Sequence, residues 1–224
     1  MIMKKNLATA LATGLFLLGV AGMAHSTPVT VNGLTFSEVG TGVTITGGSG
    51  TGTQSDPITL QETITGLDVT MSIAGLNSWG NGNLTGSNHD SGFWLLKEVT
   101  NNTGADWNFY DHELQEILGT PSPDGDGLSF AQGANSLRPW WSDVFMSYNE
   151  VITTRDYINF FDGIVPDTAT VSFLYAITDN SPVATFYLRQ RPNYEGDPVP
   201  EPATMLLLGT GLAGLVGARR RKKA

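Results

Sequence analysis

The sequence predicts an all-β domain, a single antiparallel β-sandwich of jelly-roll or immunoglobulin-like connectivity, on three observations. Short runs alternate apolar and polar residues with period two, turn residues punctuate them at short intervals, and helical periodicity is scarce. Many short strands without intervening helices favour a sandwich over an α/β fold, with a barrel as the alternative. No repeat of fixed period suggests a solenoid or propeller.

The chain begins with two cations, Lys4 and Lys5, then an uncharged apolar run from Leu7 to Val20, then Ala24-His25-Ser26. This is the layout of a secretory signal peptide, residues 1–26, with Ala24 and Ser26 as the small residues that a signal peptidase reads. The β-sandwich ectodomain is expected over 27–189. Gly40 to Ser55 is mostly Gly, Thr and Ser and reads as a loop or weak edge strand. Leu67, Val69, Met71 and Ile73 alternate with Asp68, Thr70 and Ser72, which predicts a half-buried strand. Asn101-Asn102-Thr103-Gly104 separates the runs Phe93–Thr100 and Trp107–Leu114 as a turn, since Asn and Gly accept positive φ. Leu137, Trp141 and Phe145 recur every four residues within Ser136–Tyr148, the best case for a helix, against Pro139. Thr168–Thr178 puts Val171, Phe173, Tyr175 and Ile177 on one face, and Asp179-Asn180-Ser181-Pro182 reads as a hairpin turn into Val183–Arg189. A Pro-rich linker is expected over 190–198.

The remaining residues, 199–224, hold Val199-Pro200-Glu201-Pro202, an apolar run from 203 to 218, and the cations Arg219, Arg220, Arg221, Lys222 and Lys223. A helix over the apolar run reaches about 24 Å, slightly short of a hydrocarbon core of about 30 Å, and snorkelling by the cations closes the gap. Stop-transfer by the basic cluster keeps the tail end in the cytoplasm and the body across the membrane.

These three parts in this order resemble the PEP-CTERM sorting signal of Gram-negative bacteria, a motif also labelled an ice-binding-protein C-terminal domain. The resemblance covers about a tenth of the chain. It implies recognition near Pro200-Glu201-Pro202 by an exosortase, a membrane cysteine protease, and a cell-surface, outer-membrane or extracellular-matrix destination in an exopolysaccharide-producing host. Val99 to Trp107 is similar to a turn pattern in the bodies of many such proteins, which implies fold and no activity. The Thr residues at 41, 44, 46, 51 and 53 lack the regular array that ice binding needs.

Composition narrows the functions open to the body. Of 12 Lys and Arg, two lie in the signal peptide and five in the tail, leaving five against 20 Asp and Glu, a net charge near −15. Such a field excludes nucleic acid as a partner and confines membrane contact to the C-terminal helix before processing. No cysteine is present, which removes disulfides, thiol nucleophiles and thiolate metal sites.

No enzymatic activity is expected. His89 and His112 stand outside any nucleophile motif, and there is no Gly-x-Ser-x-Gly or His-Glu-x-x-His. In Asp111-His112-Glu113 the strand pleat sends the acids to one face and His112 to the other. Two binding features stand out. Asp124-Gly125-Asp126-Gly127 offers oxygen ligands for calcium without the spacing of an EF-hand. Trp140 and Trp141, beside Asp143, form a candidate sugar-stacking patch, whereas Trp94 and Trp107 read as core. The expectation is therefore an exported, non-catalytic surface or matrix protein associated with exopolysaccharide, with a carbohydrate-binding module, calcium-dependent or not, and a secreted glycan-active enzyme as alternatives.

Overall fold

A computed structural model describes residues 27–123, 125–131, 140–151 and 155–193. Twelve strands follow in chain order: β1 (Val29–Val31), β2 (Leu34–Val39), β3 (Val43–Ser49), β4 (Ile58–Ile64), β5 (Val69–Ala74), β6 (Ser91–Asn101), β7 (Tyr110–Gln115), β8 (Trp141–Ser142), β9 (Ser147–Val151), β10 (Tyr157–Phe161), β11 (Thr170–Asp179) and β12 (Thr185–Pro192). One 3-10 turn, Leu76–Ser78, separates β5 from β6. A seven-stranded sheet, ordered β1-β2-β5-β12-β7-β10-β9, faces a five-stranded sheet ordered β3-β4-β6-β11-β8.

The alternating runs build the interface between these sheets. Phe36, Met71, Ile73, Phe186, Leu188, Tyr110 and Leu114 from the larger sheet meet Leu60, Phe93, Leu95, Val171, Phe173, Tyr175 and Ile177 from the smaller, all fully buried. Phe173 is the pivot, with Tyr110 at 4.7 Å and Phe160 at 4.9 Å between ring centroids across the gap. Offset and edge contacts of this kind add to the burial of area. Trp94 and Trp107 are buried, as their strand context implies.

Connectivity departs from the local reading. Both turns after long strands change sheets: β6 to β7 and β11 to β12 each pass from the five-stranded to the seven-stranded sheet, so neither Asn101–Gly104 nor Asp179–Pro182 closes a hairpin. A turn signal specifies reversal of the chain, and whether the return strand pairs or faces its predecessor depends on tertiary packing. Asn101 shapes the first of these turns: its Oδ1 accepts from the Thr103 N–H and hydroxyl, while its Nδ2 donates to the carbonyls of Ala105 and Val165. A true hairpin joins β1 to β2 through Asn32 (φ 47°) and Gly33 (φ 89°), the left-handed pair of a tight two-residue loop.

The sandwich is not wholly antiparallel. β4 and β6 pair in parallel, because the chain visits the other sheet through β5 before returning. Gly40–Ser55 contains β3, at the edge of the smaller sheet and bulged between Ile45 and Gly47. Leu67 stands outside β5 and is exposed, so the alternation begins at Val69. The best case for helical periodicity, 136–148, is not helical in its described part, which contains β8 and the start of β9; Trp141 is exposed and Phe145 buried, so their four-residue spacing marks no common face. The domain also runs past 189, since Gln190, Arg191 and Pro192 continue β12 and are buried.

Candidate functional site

Four inward-facing rows of the sandwich carry a polar residue where their parity calls for an apolar one. Glu62 follows Ile58 and Leu60 on β4, Lys97 follows Phe93 and Leu95 on β6, His112 follows Tyr110 on β7, and Gln190 follows Phe186 and Leu188 on β12. All four are buried, and they converge. Glu62 Oε1 lies 3.1 Å from Lys97 Nζ, and Glu62 Oε2 accepts from Gln190 Nε2 at 2.8 Å. Lys97 Nζ and the Tyr110 hydroxyl both donate to the same atom, Gln190 Oε1, the latter at 2.8 Å. His112 Nε2 lies 3.4 Å from Lys97 Nζ.

Electrostatics there follow from burial. Desolvation lowers Lys97 to about 8 against the pull of Glu62, which makes its amine easier to deprotonate than that of an exposed lysine. His112 falls well below its ordinary value, from burial first and from Lys97 second, and so is a neutral imidazole. Tyr110 and Tyr175 are pushed up by burial and then by Glu62, which keeps both hydroxyls protonated. The cluster thus holds an amine, a carboxylate, a primary amide and a phenol donor without bulk water.

The opposite face of β7 carries a second charged group. Asp111 stands across from Arg191 and Glu113 across from Arg189 in the β7–β12 register. Arg191 donates through Nε and Nη2 to Asp111 Oδ2 at 2.8 and 2.6 Å, and through Nη2 to Glu113 at 3.0 Å. Arg155 bonds Asp111 Oδ1 at 2.5 Å and Glu113 at 2.8 Å, with its guanidinium 3.9 Å above the Tyr157 ring. Arg189 also reaches Asp68 through two short bonds. His112 points away from both acids, into the aromatic core, as the pleat dictates. Of the five cations in the body, the four described ones are all paired with carboxylates, which leaves the remaining surface strongly acidic.

The residues singled out from sequence fare unevenly. Trp140 is buried, its Nε1 donating to the Phe130 carbonyl at 3.1 Å, so it offers no exposed stacking face. Trp141 is 48% exposed and borders a groove of about 320 Å³ with Met146 and Tyr148, which are also exposed. Asp126 Oδ1 accepts from the Leu128 N–H, a turn contact. It also helps raise the carboxyls of Glu116 and Asp179, each shifted mainly by desolvation. Asp124 lies outside the described residues, and among those described no three His or carboxylate groups gather to hold a metal. The signal-peptide residues Ala24 and Ser26, the motif Val199–Pro202, the span 203–218 and the cations 219–223 lie outside them too. Among the described residues no helix is long and apolar enough to cross a membrane.

No curated protein and no solved structure matches the chain. Residues 198–222 match the family model of the PEP-CTERM protein-sorting motif. The chain therefore carries a PEP-CTERM sorting signal, which implies export and sorting to the surface or exterior by an exosortase.

Proposed function

We propose that the mature protein is a non-catalytic cell-surface or extracellular-matrix component whose β-sandwich associates with exopolysaccharide. The observation that carries this reading is the sorting motif at 198–222, where an exosortase would act once the N-terminal signal has directed the acidic body across the inner membrane. The precursor spans the membrane through 203–218, with the cations Arg219 to Lys223 holding its end inside. An acidic surface suits solubility outside the cell, where repulsion between copies opposes aggregation.

Replacing Glu201 by Ala in the full chain tests the sorting step. The C-terminal segment should remain attached and the protein should accumulate in the inner membrane, with the ectodomain fold unchanged. Normal processing and normal surface delivery of that variant would overturn the reading.

A carbohydrate-binding role has one specific observation in its favour: Trp141, Met146 and Tyr148 form an exposed apolar surface next to Asp143 on an otherwise charged body. In this second reading Trp141 supplies the stacking face, and calcium, if used, is held near Asp126.

A further inference from the structure

The buried cluster at the centre of the sandwich has the parts of a self-acylating site, and nothing in the sorting reading uses them. The geometry points to an intramolecular isopeptide bond between Lys97 Nζ and Gln190 Cδ, formed by the protein itself with Glu62 as the proton-transfer group. A merely structural ion pair needs Lys97 and Glu62 alone. Here the same carboxylate touches the amine through Oε1 (3.1 Å) and the side-chain amide nitrogen through Oε2 (2.8 Å). Those are the two nitrogens that exchange places in a transamidation.

The steps balance as follows. Glu62 takes a proton from the Lys97 ammonium, and the neutral amine attacks Gln190 Cδ, one C=O bond beyond the oxygen that Lys97 already contacts. Negative charge then develops on Gln190 Oε1, where the Tyr110 hydroxyl donates at 2.8 Å, so the donor is in place before the charge appears. Glu62 returns its proton to Nε2 and removes one from the new secondary nitrogen. The tetrahedral centre collapses, the Cδ–Nε2 bond breaks, and ammonia departs, leaving the last proton on Glu62, so that no unpaired charge stays in the core. No oxidant, metal or co-reactant is required. Burial assists at the start, because the desolvation that lowers Lys97 to about 8 also supplies the neutral nucleophile. It assists at the end as well, since a neutral amide and a neutral acid replace a buried ion pair.

The position of the bond gives it a purpose. Lys97 belongs to β6 in the five-stranded sheet and Gln190 to β12 in the seven-stranded sheet, 93 residues apart, so the link staples the two layers of a protein that has no disulfides. β12 is the last described strand before the sorting tail. Tension applied through that end would reach β12 first, and the link passes it to the opposite sheet.

The test is tryptic peptide mapping by mass spectrometry of the full-chain gene product purified from cells. Expected is a branched species in which the segment containing Lys97 is joined to that containing Gln190, one ammonia lighter than the pair, with no cleavage after Lys97. Glu62→Gln and Tyr110→Phe, each in full-chain protein checked for β-structure by circular dichroism, should reduce the branched species at least tenfold. Recovery of the wild-type segments as separate peptides, cut after Lys97, would overturn the proposal without reference to any variant. A folded Glu62→Gln protein that still cross-links fully would remove Glu62 from the mechanism.

Discussion

Arg191→Met isolates the worth of the outer ion cluster. The substitution keeps most of the aliphatic stem, which lies 3% exposed in β12, and deletes the guanidinium that makes two bonds to Asp111 and one to Glu113. Asp111 is fully buried and would keep Arg155 as its remaining partner. Breaking a buried pair by removing one member costs about 3–5 kcal/mol, because an under-compensated charge is left behind. For a domain of this size that corresponds to a melting temperature lower by about 10 °C.

The pH dependence sharpens the prediction. Burial raises the Asp111 carboxyl to about 6 against the pull of Arg191 and Arg155. A raised acid binds its proton more tightly in the folded state, so its contribution to stability is full below the unfolded value near 3.8. It is lost as pH climbs through about 6. Without Arg191 the carboxyl moves further up and this loss deepens. The variant should therefore fall short of wild type by several kcal/mol at pH 8 and by much less at pH 4. Urea denaturation at both pH values measures it. A deficit below about 1 kcal/mol at pH 8, or one of equal size at both, would refute the reasoning. Asp111→Leu added to Arg191→Met should restore part of the lost stability, since it removes the stranded charge.

Other outcomes follow from single contacts. Asn101→Ala removes four turn hydrogen bonds at the β6–β7 sheet change and should cost about 1–3 kcal/mol in denaturant unfolding, whereas the exposed Asn102→Ala should cost under about 0.5. Phe173→Ala, in a fully buried ring that meets Tyr110, His112, Phe145 and Phe160, should cost about 3–5 kcal/mol and expose apolar surface to a hydrophobic dye. If the stacking role is right, Trp141→Ala should abolish saturable exopolysaccharide binding in a pull-down, with and without calcium, and leave thermal stability within about 0.5 kcal/mol of wild type. Trp140→Ala should instead destabilise, because that ring is buried and bonded to Phe130.

Much of this molecule was legible from local pattern. Period two in β5 and β11 identified those strands and their inward faces, because the pleat fixes side-chain direction residue by residue. The pleat likewise separated His112 from Asp111 and Glu113. The tail could be read from order and composition, since a sorting signal acts as a linear segment.

The sandwich's central cluster was also written in the pattern, as Glu62, Lys97, His112 and Gln190 breaking apolar rows, yet each looks isolated along the chain. Gln190 looked like linker because Pro192 and its followers dominate local composition. What no local signal contains is which strands face one another. The turns at Asn101 and Asp179 specify reversal, but packing across the two sheets decided that they change layers. That decision brings Lys97 and Gln190 together, and the reason is long-range burial: the aromatic faces of β7, β10, β11 and β12 exclude water only when stacked against each other.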